Sequence, residues 1–180
     1  MSYPQTANDV VIQRVSGPYG WLGNMSPHPV YYKGLTYRTV EALFQCLRWN
    51  PKSLAHSRIR MEMSPMGAKM KAKYFFNNHP EWLEVEPRST EDVINMEKCL
   101  RIKIRQWPEL EQGLRDTKNR TIVEDCGKRP TESGLFWGAR GYMGNWEGDN
   151  TLGELWMDIR SSRRALWTLG RWAQKLSGEE

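Results

Sequence analysis

The chain has 180 residues, 39% of them hydrophobic and 26% charged, with a formal net charge of +5 and a pI near 9.2. That is the length of one domain with a sizeable core, and the composition excludes a disordered or low-complexity chain. The basic balance suits phosphate-bearing ligands or nucleic acid. Cys46, Cys99 and Cys126 are odd in number and far apart, and His28, His56 and His79 do not cluster with them. A disulfide framework and a zinc site are therefore not expected, and reduced thiols fit a cytoplasmic setting. The first ten residues show no basic-then-apolar signal pattern, and no apolar run approaches membrane-spanning length.

In chain order, "DVVIQRV" (Asp9 to Val15) has strand composition, and "SGPYGWLGNMSPHP" is a loop with defined turns. "VYYKGLTYR" predicts two short strands about a Lys-Gly turn. Thr39 is an N-cap for a helix whose Val40, Leu43, Phe44 and Leu47 form an apolar stripe, ended by Pro51. Glu41, Gln45 and Arg48 follow the same spacing on a neighbouring face. "SPMGAKMKAKYFFNN" opens a second helix at a Ser-Pro signal. A connection carrying Trp82 leads to a long amphipathic helix with Val93, Met96, Leu100 and Ile104 on one stripe, closed by Pro108.

A shorter helix over "PELEQGLRDT" and a strand-like "RTIVEDC" come next. Residues 127–150 are expected to form a long Gly-rich loop. Thr151 and Glu154 fit a capping box for a helix carrying Leu152, Leu155, Trp156 and Ile159. A tail helix over residues 161–180 carries Leu166, Leu169, Trp172 and Leu176. With no repeat and no linker, residues 1–180 read as a single, mostly helical α+β domain with a few short strands.

Glu41 has two readings. An acid in the first helical turn favours the helix dipole. A carboxylate at the edge of a core can instead trade protons near neutral pH. Glu124 and Asp125 end a strand, either as a solvated turn or as a second carboxylate facing Glu41; glycoside cleavage uses such a pair. Lys69 is a surface lysine or, if desolvated, a nucleophile. The glycines before Leu152 lead into a helix N-terminus that favours anions, although neither a P-loop nor a dinucleotide fingerprint is present.

The ordered series "YGWLGNMSPHPV", "GLTYRTVEALFQCLRW", "SPMGAK", "MEKCLRIKIRQWPEL…LRDT…IVED" and "WGA…GDNTLGELWMDIR" resembles the NADAR, or YbiA-like, family over about residues 19–160. The resemblance implies a mainly helical α+β fold and an N-glycosidase that cleaves ribose C1 from an exocyclic amine, with no metal or cofactor. The implied substrates are phosphoribosylamino-pyrimidine intermediates of riboflavin synthesis or ADP-ribosylated guanine in nucleic acid. Of the matching positions, Asn24, Thr39, Glu41, Phe44, Gln45 and the intact Ser64-Pro65…Ala68-Lys69 are kept, as are Trp82, Glu124, Trp137, Gly138, Asn150, Leu152 and Gly153.

Other positions depart: Gly23 and Met25 flank Asn24 where the family has serine and phenylalanine, Ala42 stands where the family has histidine, Arg48 where lysine is usual, and Gly134-Leu135-Phe136 where an aspartate precedes the Trp-Gly pair. A lysine can capture a ring-opened imine and an arginine cannot. If the lysine at position 48 is the family's nucleophile, that route is lost here; if Lys69 is, it is intact; direct hydrolysis needs neither. The implied assignment makes Glu41, Lys69 and Glu124 catalytic. Asn24 and Gln45 orient ribose, Trp82 or Trp137 stacks on the base, and Arg48, Lys69 and the loop holding Gly138, Asn150 and Gly153 bind phosphate. The alternative is a non-catalytic nucleotide- or nucleic-acid-binding protein with a degenerate site. The oligomeric state is left open.

Overall fold

The computed structural model describes residues 2–128 and 130–161. The expected tail helix, with Trp167 and Trp172, lies outside the described residues. Elements run β1 (Ser2–Pro4), β2 (Val10–Ile12), β3 (Val30–Tyr32), β4 (Leu35–Tyr37), α1 (Val40–Cys46), α2 (Leu54–Met61), α3 (Pro65–Asn78), α4 (Thr90–Gln106), α5 (Pro108–Asp116), β5 (Ile122–Glu124), α6 (Glu132–Trp137), β6 (Arg140–Tyr142), β7 (Asn145–Glu147) and α7 (Thr151–Arg160). The α+β class expected from the sequence is the one observed.

Helix α4 is the spine. Ser89 caps it by accepting from the Asp92 N–H, and its Val93, Met96, Leu100 and Ile104 are buried. It packs on α1, α5, α7 and β3. One main core takes in α1, α3, α4 and α7, and a small second cluster of Val123, Ala139 and Trp146 lies under the β6–β7 sheet. Strands are three residues long and make three small sheets. These are the antiparallel β1-β7-β6, the β3–β4 hairpin turning through Lys33 and Gly34 at positive φ, and a parallel β2–β5 pair. In the parallel pair Ile12 stands beside Glu124.

Several boundaries differ from the sequence reading. The strand expected over Asp9 to Val15 is limited to Val10–Ile12 (β2), and β1 over Ser2–Pro4 precedes it. Helix α1 stops at Cys46 rather than running to Pro51, because Trp49 turns away to bridge Leu83. Residues 54–61, given no element above, form a helix capped by Ser53. Residues 127–150 are not one long loop, since they hold α6 and the β6–β7 hairpin. The capping box at Thr151 and Glu154 is absent: Asn150, with a left-handed backbone, is the N-cap, and the Thr151 hydroxyl donates to the Phe136 carbonyl at 2.6 Å.

Candidate active site

Helix α1 sets the first half of the site. Thr39 accepts from the Ala42 N–H and starts the helix, and the Glu41 N–H donates to the Asn24 carbonyl at 2.9 Å. That bond ties the 19–29 loop to the first turn. Glu41 is 6% exposed and Gln45 4%, so neither side chain is a solvated helix-face residue. Gln45 Nε2 donates to Glu41 Oε1 at 2.9 Å, and Arg48 Nη1 donates to Gln45 Oε1 at 3.1 Å. A guanidinium only donates, so it fixes which end of the Gln45 amide faces Glu41.

Arg48 has little left to offer a ligand. Its Nε and Nη2 each lie 2.7 Å from a different Asp92 oxygen, a bidentate pair in which the side chains are 13% and 0% exposed. Nε, Nη1 and Nη2 of Arg48 each make a bond within the protein. Asp92 Oδ2 also accepts from the Arg88 N–H at 2.7 Å. The row Asp92–Arg48–Gln45–Glu41 therefore runs from α4 to the first turn of α1.

The second half is built by β5. Glu124 ends that strand partly buried, and its Oε2 is buried without a hydrogen-bond partner. Its pKa is raised to about 8, chiefly by burial and then by the negative charge of Glu41, with the Lys69 charge offsetting part of the rise. The two carboxylates and Lys69 thus share one electrostatic neighbourhood. Lys69 is exposed in the second turn of α3, behind the Ser64 cap and Pro65.

The C-terminal motif residues all bear on β5. Asn150 Oδ1 accepts from the Glu124 N–H at 3.0 Å and its Nδ2 donates to the Ile122 carbonyl at 2.8 Å, so both ends of its amide bond the strand. A Cβ on Gly138 would lie 2.3 Å from the Glu124 carbonyl oxygen, and one on Gly153 would lie 2.1 Å from that of Ile122. The closely approached backbone is that of β5, where the sequence reading expected a ligand. These three residues form a cradle for β5, with Gly138 and Asn150 against Glu124.

The aromatic candidates separate. Trp137 meets Phe44 edge-on, with centroids 5.4 Å apart, and Arg48 lies over the same Phe44 ring at 4.4 Å. Trp82 belongs to another ring cluster, stacked on His79 at 4.4 Å and tilted against Phe75. Asn24 Nδ2 donates to Met96 Sδ at 3.2 Å, which leaves Oδ1 buried and without a partner.

Sequence reasoning missed Asp92 and Lys103. Lys103 is fully buried, and burial pulls its pKa down to about 7. A signal existed: Lys103 stands seven residues after Met96, on the buried face of α4. Cys46 and Cys99 are buried, and burial pushes both thiols up, Cys46 to about 12. Among the described residues, no cluster of His, Cys, Asp and Glu is arranged to hold a metal. Nor is any of their helices long and apolar enough to cross a membrane.

A NADAR domain model matches residues 12–164. The chain belongs to the NADAR family. It is 30% identical over 145 residues to N-glycosidase YbiA of Shigella flexneri serotype 5b (strain 8401), covering 81% of this chain and 82% of that protein. The Escherichia coli (strain K12) N-glycosidase YbiA is 28% identical over the same length. The NMR structure of the E. coli protein YbiA superposes with a TM-score of 0.67 over 88% of each chain, at 28% identity. The NADAR relatives named here thus carry the activity class that the motif order implied, and they support a hydrolase of the N-glycosidase type.

Proposed function

We propose that the protein hydrolyses an N-glycosidic bond between ribose C1 and an exocyclic amine, with Glu41 and Glu124 in separate roles. The observation that carries this reading is the pairing of two carboxylates in unlike surroundings, Glu41 buried and Glu124 partly buried with a buried Oε2. Glu124 has an unpaired oxygen and a pKa raised to about 8, while Glu41 takes a donor from Gln45 and adds its own negative charge to the neighbourhood. A carboxyl held protonated beside a second, hydrogen-bonded one suits the acid's part in such a cleavage.

In this reading Glu124 holds a proton at neutral pH and gives it to the leaving nitrogen as the C1–N bond breaks. The Glu41 carboxylate faces the positive charge that develops on the ribose and takes a proton from water as the new C1–O bond forms. The products are the free ribosyl hydroxyl and the amine, and no co-reactant beyond water is needed. Asn24 Oδ1, buried and unpaired, is an acceptor for a ribose hydroxyl. Trp137 or Trp82 supplies a ring face for the base, and Lys69 carries charge for a phosphate. Gly138, Asn150 and Gly153 act through β5.

The substrate is a phosphoribosylamino-pyrimidine or an ADP-ribosylated guanine in nucleic acid, both of which present the same linkage. Mass spectrometry of each, incubated with wild type and with Glu41→Gln, tests the reading. Release of the amine by wild type and not by Glu41→Gln supports it and chooses the substrate. Turnover by Glu41→Gln at the wild-type rate rejects the assignment. Tight binding of both substrates without cleavage favours the non-catalytic alternative.

A further inference from the structure

Lys103 is a buried amine with no acid bonded to it among the described residues. Its Nζ donates to the Trp21 carbonyl, to the Gly23 carbonyl at 3.1 Å and to Ser26 Oγ at 2.7 Å, and the Trp156 ring lies 6.0 Å away. Burial is the cause that pulls its pKa down to about 7, and no carboxylate is among the causes. A desolvated ammonium is costly without a counter-charge. Its three N–H groups and the three oxygens match in number, which satisfies the charged form.

The carbonyls it binds belong to a longer pattern. Trp21 and Gly23 accept from Lys103, Leu22 accepts from Trp156 Nε1 at 3.0 Å, and Asn24 accepts from the Glu41 N–H at 2.9 Å. Four successive carbonyls are therefore held by donors from α4, α7 and α1. Met96, two turns before Lys103 on α4, receives the Asn24 amide. Ser26 extends the anchor past Asn24: it is 1% exposed, donates to the Trp21 carbonyl at 3.3 Å and lies 3.0 Å from His28 Nδ1.

The geometry points to Lys103 as a positioning residue that fixes the 21–26 loop on both sides of Asn24, and so sets Asn24 Oδ1 against the Glu41 end of α1. This rests on the proposed role of Asn24 and Glu41. Lys103 touches no reacting atom in it; the residue acts through backbone.

The test compares wild type, Lys103→Met and Lys103→Arg, read two ways. Backbone amide exchange is followed at Gly23, Ser26 and Glu41, with Leu155 in α7 as the reference. Turnover is followed on whichever N-ribosyl substrate the wild type cleaves. Lys103→Met, folded by circular dichroism, exchanges at least about tenfold faster at Ser26 and Glu41 with Leu155 unchanged. Its kcat falls about thirtyfold, because small misplacement of a substrate-orienting group slows chemistry more than binding. Lys103→Arg, which keeps charge and donors, recovers part of the protection and part of kcat.

Unchanged Glu41 and Ser26 exchange in Lys103→Met overturns the proposal, and so does loss of protection spread equally over Leu155. If Lys103→Met does not fold, Ser26→Ala removes one acceptor and leaves the cation. It is expected to speed exchange at Ser26 and Glu41 to a smaller degree, and no change there counts against the clamp. The exchange readout stands even if the wild type cleaves neither substrate, so failure of the clamp and failure of the glycosidase reading are distinguishable.

Discussion

The two carboxylates of the site are seated by opposite means. Glu41 is served by side chains: Gln45 donates to it, Arg48 orients Gln45, and Asp92 anchors Arg48. Glu124 is served by backbone and by missing atoms. Asn150 holds the N–H of Glu124 itself, the absent Cβ of Gly138 lets its carbonyl lie close, and its Oε2 is given no partner. Identical side chains can thus be assigned different protonation duties by the walls around them. The polar row suits an anion, and the unpartnered buried oxygen suits a neutral acid.

The sharpest way to break this contrast is on the Glu41 side. Glu41→Gln keeps the size and the neighbour bonds but removes the charge. Turnover is expected to fall about a thousandfold or more, with the thermal midpoint close to wild type. Steady-state kinetics and a melting curve on the same preparation check both halves.

On the other side, Glu124→Gln is expected to lower kcat about a hundredfold and to change how the protein responds to pH. The native acid holds its proton up to about pH 8, whereas the ordinary value is 4.5. Between those values the unfolded chain releases a proton that the native state keeps, so stability falls as pH rises through that window. Denaturant midpoints at pH 5 and pH 8.5 should therefore differ more for wild type than for Glu124→Gln. A wild-type difference fully retained in the variant would remove Glu124 as its source.

Gly138→Ala tests the cradle. Its Cβ must displace the Glu124 carbonyl, at 2.3 Å in the present backbone, so β5 has to shift. A kcat loss of about thirtyfold with KM nearly unchanged is expected, since the acid is misplaced while the binding groups stay. Arg48→Met tests the polar row and carries the smallest kinetic effect, about tenfold, through a loosened Gln45. Its larger signature is in stability: Asp92 is left buried without its cation, at a cost of about 3 kcal/mol. Chemical denaturation of Arg48→Met beside Arg48→Lys measures that term, and the lysine variant should recover part of it.

The same contrast governs what could be read from the sequence. The Glu41 half was legible because α1 carries its own signals: the Thr39 cap, the Val40-Leu43-Phe44 stripe, and Gln45 one turn from Glu41. Its partner Asp92 was not, because the two ends of that ion pair are 44 positions apart. The Glu124 half was named by motif but given the wrong surroundings. Three-residue strands and the six-residue α6 are too short to show a period, so residues 127–150 looked like loop. The parallel pairing of β2 with β5 joins segments separated by more than a hundred residues, and no local propensity encodes it. The contacts of Gly138, Asn150 and Gly153 with the β5 backbone follow from that pairing and were not legible in the motif.

The central claim is that Glu124 is the proton donor, and the most direct measurement is the pH dependence of single-turnover cleavage by wild type and by Glu124→Gln. The account predicts that the wild-type rate falls above a break near pH 8, where Glu124 loses its proton. The residual rate of the variant should lack that break. The same alkaline break in Glu124→Gln, or a wild-type rate flat through pH 9, would contradict it.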